Sequence, residues 1–515
     1  MSTASSAAPP EALRRSILGT LLPGFEGPEL PEWVERTLRE GLAGVCLFGE
    51  NIVSREQLRA LTAAIRAANP GALIAIDEEG GDVTRLYYDR GAPFPGNAVL
   101  GRLDDLDATR AVAAAVGAEL RDAGVNLDFA PDVDVNSDPR NPVIGIRSFG
   151  SDPVLVARHG AAWVQGLQAE GVAASIKHFP GHGDTAQDSH LSLPTVDVSV
   201  ELLRERELPP FAAAVAAGAL TVMTSHILLP QIDPDNPATF SPVILNDLLR
   251  GELGFTGVIV SDALDMVGAS GVIGIPAAAV RALAAGCDLL CIGTRNTEQQ
   301  LEQIVVRIAE AVDSGELEAS RLEDASERLD ALTATLAAAQ PGVRMGDRPE
   351  ATSEPAPTSP PAAEPDARPD QDRIAGTFRV APEAGDLLEG PGWLLVRVDT
   401  VANIAVGEVP WGPFAALEGS ATDLPMLAVT ERDWRDRIAD IPETAYVLVV
   451  GKDNERRPEV VALIDALRDR QRRVIAADLG WPGEDPRYAG LATYGASALV
   501  GEALAGYLEH KGVRA

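Results

Sequence analysis

Short apolar runs alternate with amphipathic helical stretches from about residue 12 to residue 340, and this alternation restricts the fold more than any other feature. The candidate strands are Gly44–Phe48, Leu73–Asp77, Val125–Ala130, Ala173–His178, Ala219–Ser225, Gly257–Ser261 and Asp288–Ile292. Helical stretches such as Ser54–Ala68, Ala108–Ala123, Pro153–Glu170 and Ile275–Ala285 lie between them. Successive strands joined through helices pair in parallel, with the helices outside the sheet. Over roughly 330 residues that pattern favours a TIM-type (β/α) barrel over an open sheet. An eighth strand to close the barrel is not evident, so an incomplete barrel stays open.

The segment Glu350–Asp370 is rich in Pro, Ala, Ser and acid and holds no large aliphatic residue. It cannot bury enough surface to offset the entropy of ordering, so it reads as a linker. The expected division is a barrel over 1–340, a linker over 341–374 and a smaller α/β sandwich domain over 375–515. In the last unit Trp393–Val398, Tyr446–Val450 and Val474–Ala477 are strand-like, between helical stretches at Pro458–Arg470 and Ala496–His510. It shows no phosphate-cradling Gly loop or ligand cluster, and packing is its expected role.

Asp plus Glu outnumber Lys plus Arg by 76 to 43, a formal net charge of −33. Such a chain repels polyanions over a Debye length of about 10 Å, which argues against nucleic acid and anionic membranes as partners. The three cysteines, Cys46, Cys287 and Cys291, sit in apolar, strand-like runs and read as buried small hydrophobes. The N-terminal residues lack a basic-then-apolar targeting pattern, and no run reaches the roughly 18 apolar residues of a membrane span. A cytoplasmic protein is the expectation; nothing specifies its oligomeric state.

Four segments place polar residues at or after strand ends, the rim where parallel barrels gather their chemistry. The first runs from Asp77 to Arg85, Asp-Glu-Glu-Gly-Gly-Asp-Val-Thr-Arg. Its paired glycines allow backbone to approach a ligand, and Asp77 and Arg85 offer an acceptor and a donor fork suited to sugar hydroxyls. The alternative is an Asp–Arg pair closing a loop. The second segment holds Arg147, among glycines and apolar residues from Asn141 to Gly150. That pattern alone favours a surface ion pair over a guanidinium aimed into a pocket.

The third segment, Lys177-His178-Phe179-Pro180-Gly181-His182-Gly183-Asp184-Thr185, continues to Asp188-Ser189-His190 and contains three of the six histidines. Lys177 and His178 end a strand. Asp188 is close enough in sequence to contact His190 and fix its tautomer, a pairing suited to proton transfer near neutral pH. His182 and Asp184 read as turn-stabilising groups. In the fourth segment an aliphatic strand ends in Ser261-Asp262, with Asp265 following. Asp262 fits a nucleophile or metal ligand, Asp265 a helix cap, and His226 a structural hydrogen-bonding role. Two enzyme chemistries suit these clusters: a glycosidase with an Asp nucleophile and an Asp–His proton shuttle, and a metal-dependent hydrolase using His178, His182, His190, Asp188 and Asp262. The metal reading ranks second, because no His-x-His pair ends a strand and its histidines gather on one Gly-rich loop.

Together, in this order, the four segments resemble glycoside hydrolase family 3, in its bacterial β-N-acetylglucosaminidase branch. The resemblance covers roughly residues 12 to 340 and rests most on the Lys177–Thr185 run followed by Asp188-Ser189-His190. It implies a retaining mechanism in a TIM-like barrel without metal or organic cofactor. Asp262 would be the nucleophile, His190 the general acid and base, and Asp188 its orienting partner. Asp77, Arg85, Arg147, Lys177 and His178 would bind the sugar beside the cleaved bond. The implied substrates are small carbohydrates, peptidoglycan fragments or chitin oligosaccharides carrying terminal N-acetylglucosamine. A phosphorylase on the same site, a β-glucosidase and a silent sugar-binding module are the alternatives. Family members often carry Gln and Arg where this chain has Glu78 and Asp82, which brings the sugar preference into question.

Overall fold

The computed structural model describes residues 9–185, 193–339, 368–402, 405–420, 422–471 and 473–515. The first unit is an eight-stranded parallel sheet curled into a barrel: β1 (Leu21–Pro23), β2 (Gly44–Leu47), β3 (Leu73–Ile76), β4 (Leu127–Asp128), β5 (Ala173–Phe179), β6 (Thr221–Thr224), β7 (Val258–Ser261) and β8 (Leu289–Gly293). From β2 to β8 each strand pairs with its sequence neighbour, and β1 pairs with β8. The strand missing from the sequence reading is therefore β1. Its three residues, Leu-Leu-Pro, are too short for a periodic signal, and Pro23 has no N–H for a ladder. β1 lies beside β2, but no ladder joins them among the described residues, so the barrel is nearly closed.

The helices outside the barrel follow their local signals. Ser54, Asp105, Asp152 and Thr297 each cap a helix by accepting from a first-turn N–H, and Gly124 and Gly315 end two of them in the left-handed region. Barrel strands are buried along their whole length, as parallel strands covered on both faces must be. Cys46, Cys287 and Cys291 are free and buried, as expected. No described helix is long and apolar enough to cross a membrane.

The second unit is a six-stranded sheet: β9 (Arg379–Val380), β10 (Trp393–Asp399), β11 (Met426–Thr430), β12 (Tyr446–Gly451), β13 (Arg473–Asp478) and β14 (Leu491–Ala492). Their order is β11-β10-β12-β13-β14-β9, parallel except for β9. Most of the expected linker, 341–374, falls outside the described residues; helix Gln371–Ala375 already places Ile374 in the core of this sheet.

The two units share that core. Helix Asn97–Leu103 of the barrel inserts Val99 among the apolar residues of the second unit. On the same helix Arg102 lies 4.0 Å from the Tyr494 ring centroid and donates to Thr377 O. Beside it, Asp82 pairs with Lys452 at 2.7 Å and accepts from Ala496 N at 2.9 Å. Asp82 is nearly shut off from water, so losing it leaves Lys452 half-buried without its partner. Replacing Asp82 with Ala is expected to cost about 2–3 kcal/mol of interface stability. In calorimetry the second unit should then melt ahead of the barrel; an unfolding profile superposing on that of the parent would contradict this role.

Candidate active site

A cavity of about 340 Å3 opens at the carboxyl ends of the barrel strands. Asp77, Arg85, Arg147, Lys177, His178 and Asp262 all line it, from segments far apart in sequence. Asp188 and His190 lie outside the described residues. Glu79, which sequence reasoning did not select, lines the cavity as well, and so does His182, read from sequence as a turn-stabilising group or, in the metal alternative, a ligand.

The floor is organised around Glu79. Arg147 grips its carboxylate with two nitrogens, Nε at 2.9 Å and Nη2 at 2.7 Å, and Lys177 Nζ approaches at 2.7 Å. Burial raises the Glu79 pKa, but Arg147 and Lys177 outweigh it and hold the carboxyl well below the usual range. Lys177 Nζ also donates to Asp77 at 2.8 Å, and Asp77 lies 3.9 Å from Arg85. Arg147 thus makes a buried ion pair where the pattern favoured a surface one. A run of glycines and aliphatic residues around an arginine does not reveal whether its partner is buried.

Beside this cluster the chain after β4 runs along β5, with Asp132 bridged to Lys177 and Val133 N donating to Lys177 O. Asp134 there accepts from His178 Nδ1 at 2.7 Å and from His182 N at 2.6 Å. Burial, then the Arg147 cation, lowers His178 to about 4, so its ring is neutral at pH 7. Donation from Nδ1 leaves Nε2 as an acceptor, 3.4 Å from Arg147 Nη2. Burial and the neighbouring Asp134 raise Asp132 to about 8. Asp132, Asp134 and His178 bring ligand atoms within 4.8 Å of one another. The positive charge such a group calls for is supplied by Arg147, 3.5 Å from Asp132. This differs from the ligand set considered from sequence.

Asp262 follows β7 directly and is half-buried at the cavity wall. Below it, Cys291 N donates to Ser261 Oγ at 3.1 Å and locks β7 to β8. Asp262 Oδ1 accepts from Ala263 N at 2.7 Å, and His226 Nε2 donates to Ala263 O at 3.0 Å. His226 thus has the structural role expected of it. Asp265 caps no helix; its Oδ2 accepts from Thr294 N at 2.9 Å.

Several loop readings change with the structure. The Gly80-Gly81 pair approaches protein rather than ligand: a Cβ on Gly80 would meet Trp163 at 2.8 Å, and one on Gly81 would meet Gly96 at 2.6 Å. His182 lines the cavity, while Asp184 is held by Arg206 at 2.6 Å. Glu78 does not line the cavity and accepts from Thr84 Oγ1, Arg85 N and Leu86 N, stapling its own loop. Asp82 faces the second unit. Neither departure from the family pattern alters the charge on the cavity floor. The second unit, expected only to pack, reaches the cavity with Ala405, whose carbonyl accepts from Arg85 Nη2 at 2.8 Å.

Residues 29–332 match the glycosyl hydrolase family 3 N-terminal domain, more than half of the chain. This chain belongs to glycosyl hydrolase family 3. It is 38% identical over 325 residues to β-hexosaminidase A of Pseudoalteromonas piscicida, covering 58% of this chain and only 54% of that relative. With the β-hexosaminidase of Stenotrophomonas maltophilia (strain R551-3) the identity is 41% over 283 residues, covering 53% of this chain and 82% of the relative. The solved family 3 β-N-acetylglucosaminidase from Paenibacillus sp. str. FPU-7 is similar over 98% of this chain and 97% of its own, at 30% identity and a TM-score of 0.83.

Glu78 supplies a test of the loop that carries Asp77 and Arg85. Burial raises its carboxyl from the ordinary 4.5 to about 7 against three hydrogen bonds that lower it. As pH rises above 4.5 the unfolded chain loses this proton first, so stability falls through the window up to about 7. Glu78→Gln removes that loss and is expected to stabilise the protein by on the order of 1–3 kcal/mol at pH 8, with the gap closing by pH 4. Denaturant titrations at both pH values measure it; a gap independent of pH would contradict the protonated state.

Proposed function

We propose that this protein is a retaining glycoside hydrolase that removes terminal β-linked N-acetylglucosamine from small carbohydrates, peptidoglycan fragments or chitin oligosaccharides. The observation that carries the proposal is the meeting of Asp262 with Asp77, Arg85, Arg147, Lys177 and His178 around one cavity. The relatives' names supply the sugar.

In this reading the charged floor binds the sugar hydroxyls before any chemistry occurs. Asp77 and the neutral His178 accept or share protons with the hydroxyls, and Lys177 and Arg85 donate. Fixed dipoles and charges in a half-buried site need no reorganisation as the glycosidic bond stretches. Asp262 attacks the anomeric carbon and forms a glycosyl-enzyme, while His190 protonates the leaving oxygen. Water then attacks the anomeric carbon with His190 as base, and Asp262 is released. Asp188 orients the imidazole and balances its charge. The roles of Asp188 and His190 rest on the sequence motif. A cytoplasmic setting belongs to the same proposal, since three unpaired cysteines suit a reducing compartment.

The test is turnover of an aryl β-N-acetylglucosaminide by the parent and by Asp262→Ala. Loss of the nucleophile is expected to lower kcat on the order of a thousandfold or more, with sugar binding retained. Free N-acetylglucosamine should be the product in every buffer. Unchanged turnover in Asp262→Ala would remove Asp262 from the mechanism, and N-acetylglucosamine 1-phosphate as the main product in phosphate would make the protein a phosphorylase.

A further inference from the structure

Outside the cavity, one buried titratable group has no part in the mechanism above. Glu207 is 2% exposed, and its Oε2 has no hydrogen-bond partner among the described residues. It lies on a helical stretch over 200–216 whose middle, Leu203–Glu207, winds as a π-helix. Pro209 and Pro210 bring no N–H to the carbonyls of Glu205 and Arg206, which loosens the ladder there. Such π segments are rare and gather at functional sites.

The π turn is pressed against the loop that follows β5. A Cβ on Gly181 would meet Glu207 Cβ and Oε2, each at 2.8 Å. Glu207 Oε1 accepts from Arg206 Nε at 2.5 Å, and Arg206 Nη2 donates to Asp184 at 2.6 Å. The rest of the loop is gripped as firmly. A Cβ on Gly183 would stand 1.7 Å from Val135 O, Asn141 Nδ2 donates to His182 O at 2.8 Å, and Asp134 accepts from His182 N. The stretch from Gly181 to Asp184 is thus held by the helix over 200–216 and by the chain after β4. It connects His178, which lines the cavity, to the residues that lead in sequence to Asp188 and His190.

A carboxyl is a costly filler for this space. Burial raises it to about 7 against the pull of Arg206, and Asp134 and Asp184 nearby add to the rise. An apolar side chain of the same size would pack against Gly181 without leaving an oxygen unpaired. What it would not do is accept from Arg206. The oxygen that holds the guanidinium also keeps it turned toward Asp184. One carboxyl therefore fixes both ends of the stretch, Gly181 by contact and Asp184 through Arg206.

We infer that Glu207 is a positioning residue for acid–base catalysis: with Arg206 it fixes the loop stem from which the chain runs on to Asp188 and His190. The inference rests on the glycosidase reading above and adds to it a residue that does not line the cavity.

The experiment compares kcat/KM for phenyl and 2,4-dinitrophenyl β-N-acetylglucosaminide, a quantity that reports bond cleavage and not the later attack of water. Phenolate is a poor leaving group and needs the proton from His190, whereas dinitrophenolate leaves without one. Glu207→Leu fills the space but cannot accept from Arg206. It is expected to lower the phenyl-to-dinitrophenyl ratio on the order of ten- to a hundredfold. Arg206→Met should lower the ratio similarly. Glu207→Gln keeps an oxygen for Arg206 and should restore most of it. Because each readout is a ratio within one variant, a general folding defect cancels. A parent-like ratio in Glu207→Leu, even with both substrates slowed, would overturn the inference and leave Glu207 a packing residue. So would a ratio in Glu207→Gln as low as in Glu207→Leu, since charge rather than the accepting oxygen would then matter. His190→Ala is the control. A parent-like ratio there would overturn the acid assignment itself, and failure of the parent on both substrates would overturn the glycosidase reading.

Discussion

The carboxylate of Glu79, closed off from water between Arg147 and Lys177, is the interaction on which the rest of this site depends. A lone buried carboxylate would be too costly to keep ionised, and either cation alone would be equally exposed to the penalty. The three must assemble together. Glu79 follows β3, Arg147 follows β4 and Lys177 lies within β5, so the cluster ties three consecutive strands at their carboxyl ends. Each cation then has a second engagement, Lys177 with Asp77 and Arg147 with Asp132 and His178. The proposed sugar-binding groups are fixed in place by the same network that neutralises the floor.

That network extends into the second unit. Asn97 Nδ2 donates to Arg147 O at 2.6 Å, and Gly101 lies so close to the Phe149 carbonyl that a Cβ would stand 1.8 Å from it. Both residues belong to the helix whose Val99 enters the core of the second unit. The Arg147 segment is therefore gripped from behind by a helix that also docks the other sheet. Arg85 is held from above by Ala405 and Val406 of that unit. Separating the two units would free Arg85 and remove one wall of the cavity that lies between them.

The architecture was largely legible because buried parallel strands and capped amphipathic helices leave strong local signals. β1 was not, since three residues ending in proline carry no period. The site was legible where residue types are chemically distinctive: Lys177, His178 and Asp262 end apolar strands, and a charged group there has few other reasons to occur. Glu79, Asp132 and Asp134 escaped notice because acidic residues in loops are common on a chain with 76 of them. Their significance comes from burial against Arg147 and His178, a tertiary property. Gly80 and Gly81 misled for the same reason, since a glycine pair shows that something comes close without showing what. The cavity between the two units was illegible because its lining comes from segments of both, which only the docking of one unit on the other brings together.

The most direct test of the proposed mechanism is to trap the glycosyl-enzyme. A 5-fluoro N-acetylglucosaminyl fluoride slows release of the sugar more than its attachment, so the protein can be digested and its labelled peptide sequenced by mass spectrometry. Attachment at Asp262, with the label discharged on prolonged incubation, is the predicted result. A label on another residue, or steady turnover of the reagent with no covalent adduct, would contradict the assignment of Asp262 as the nucleophile of this site.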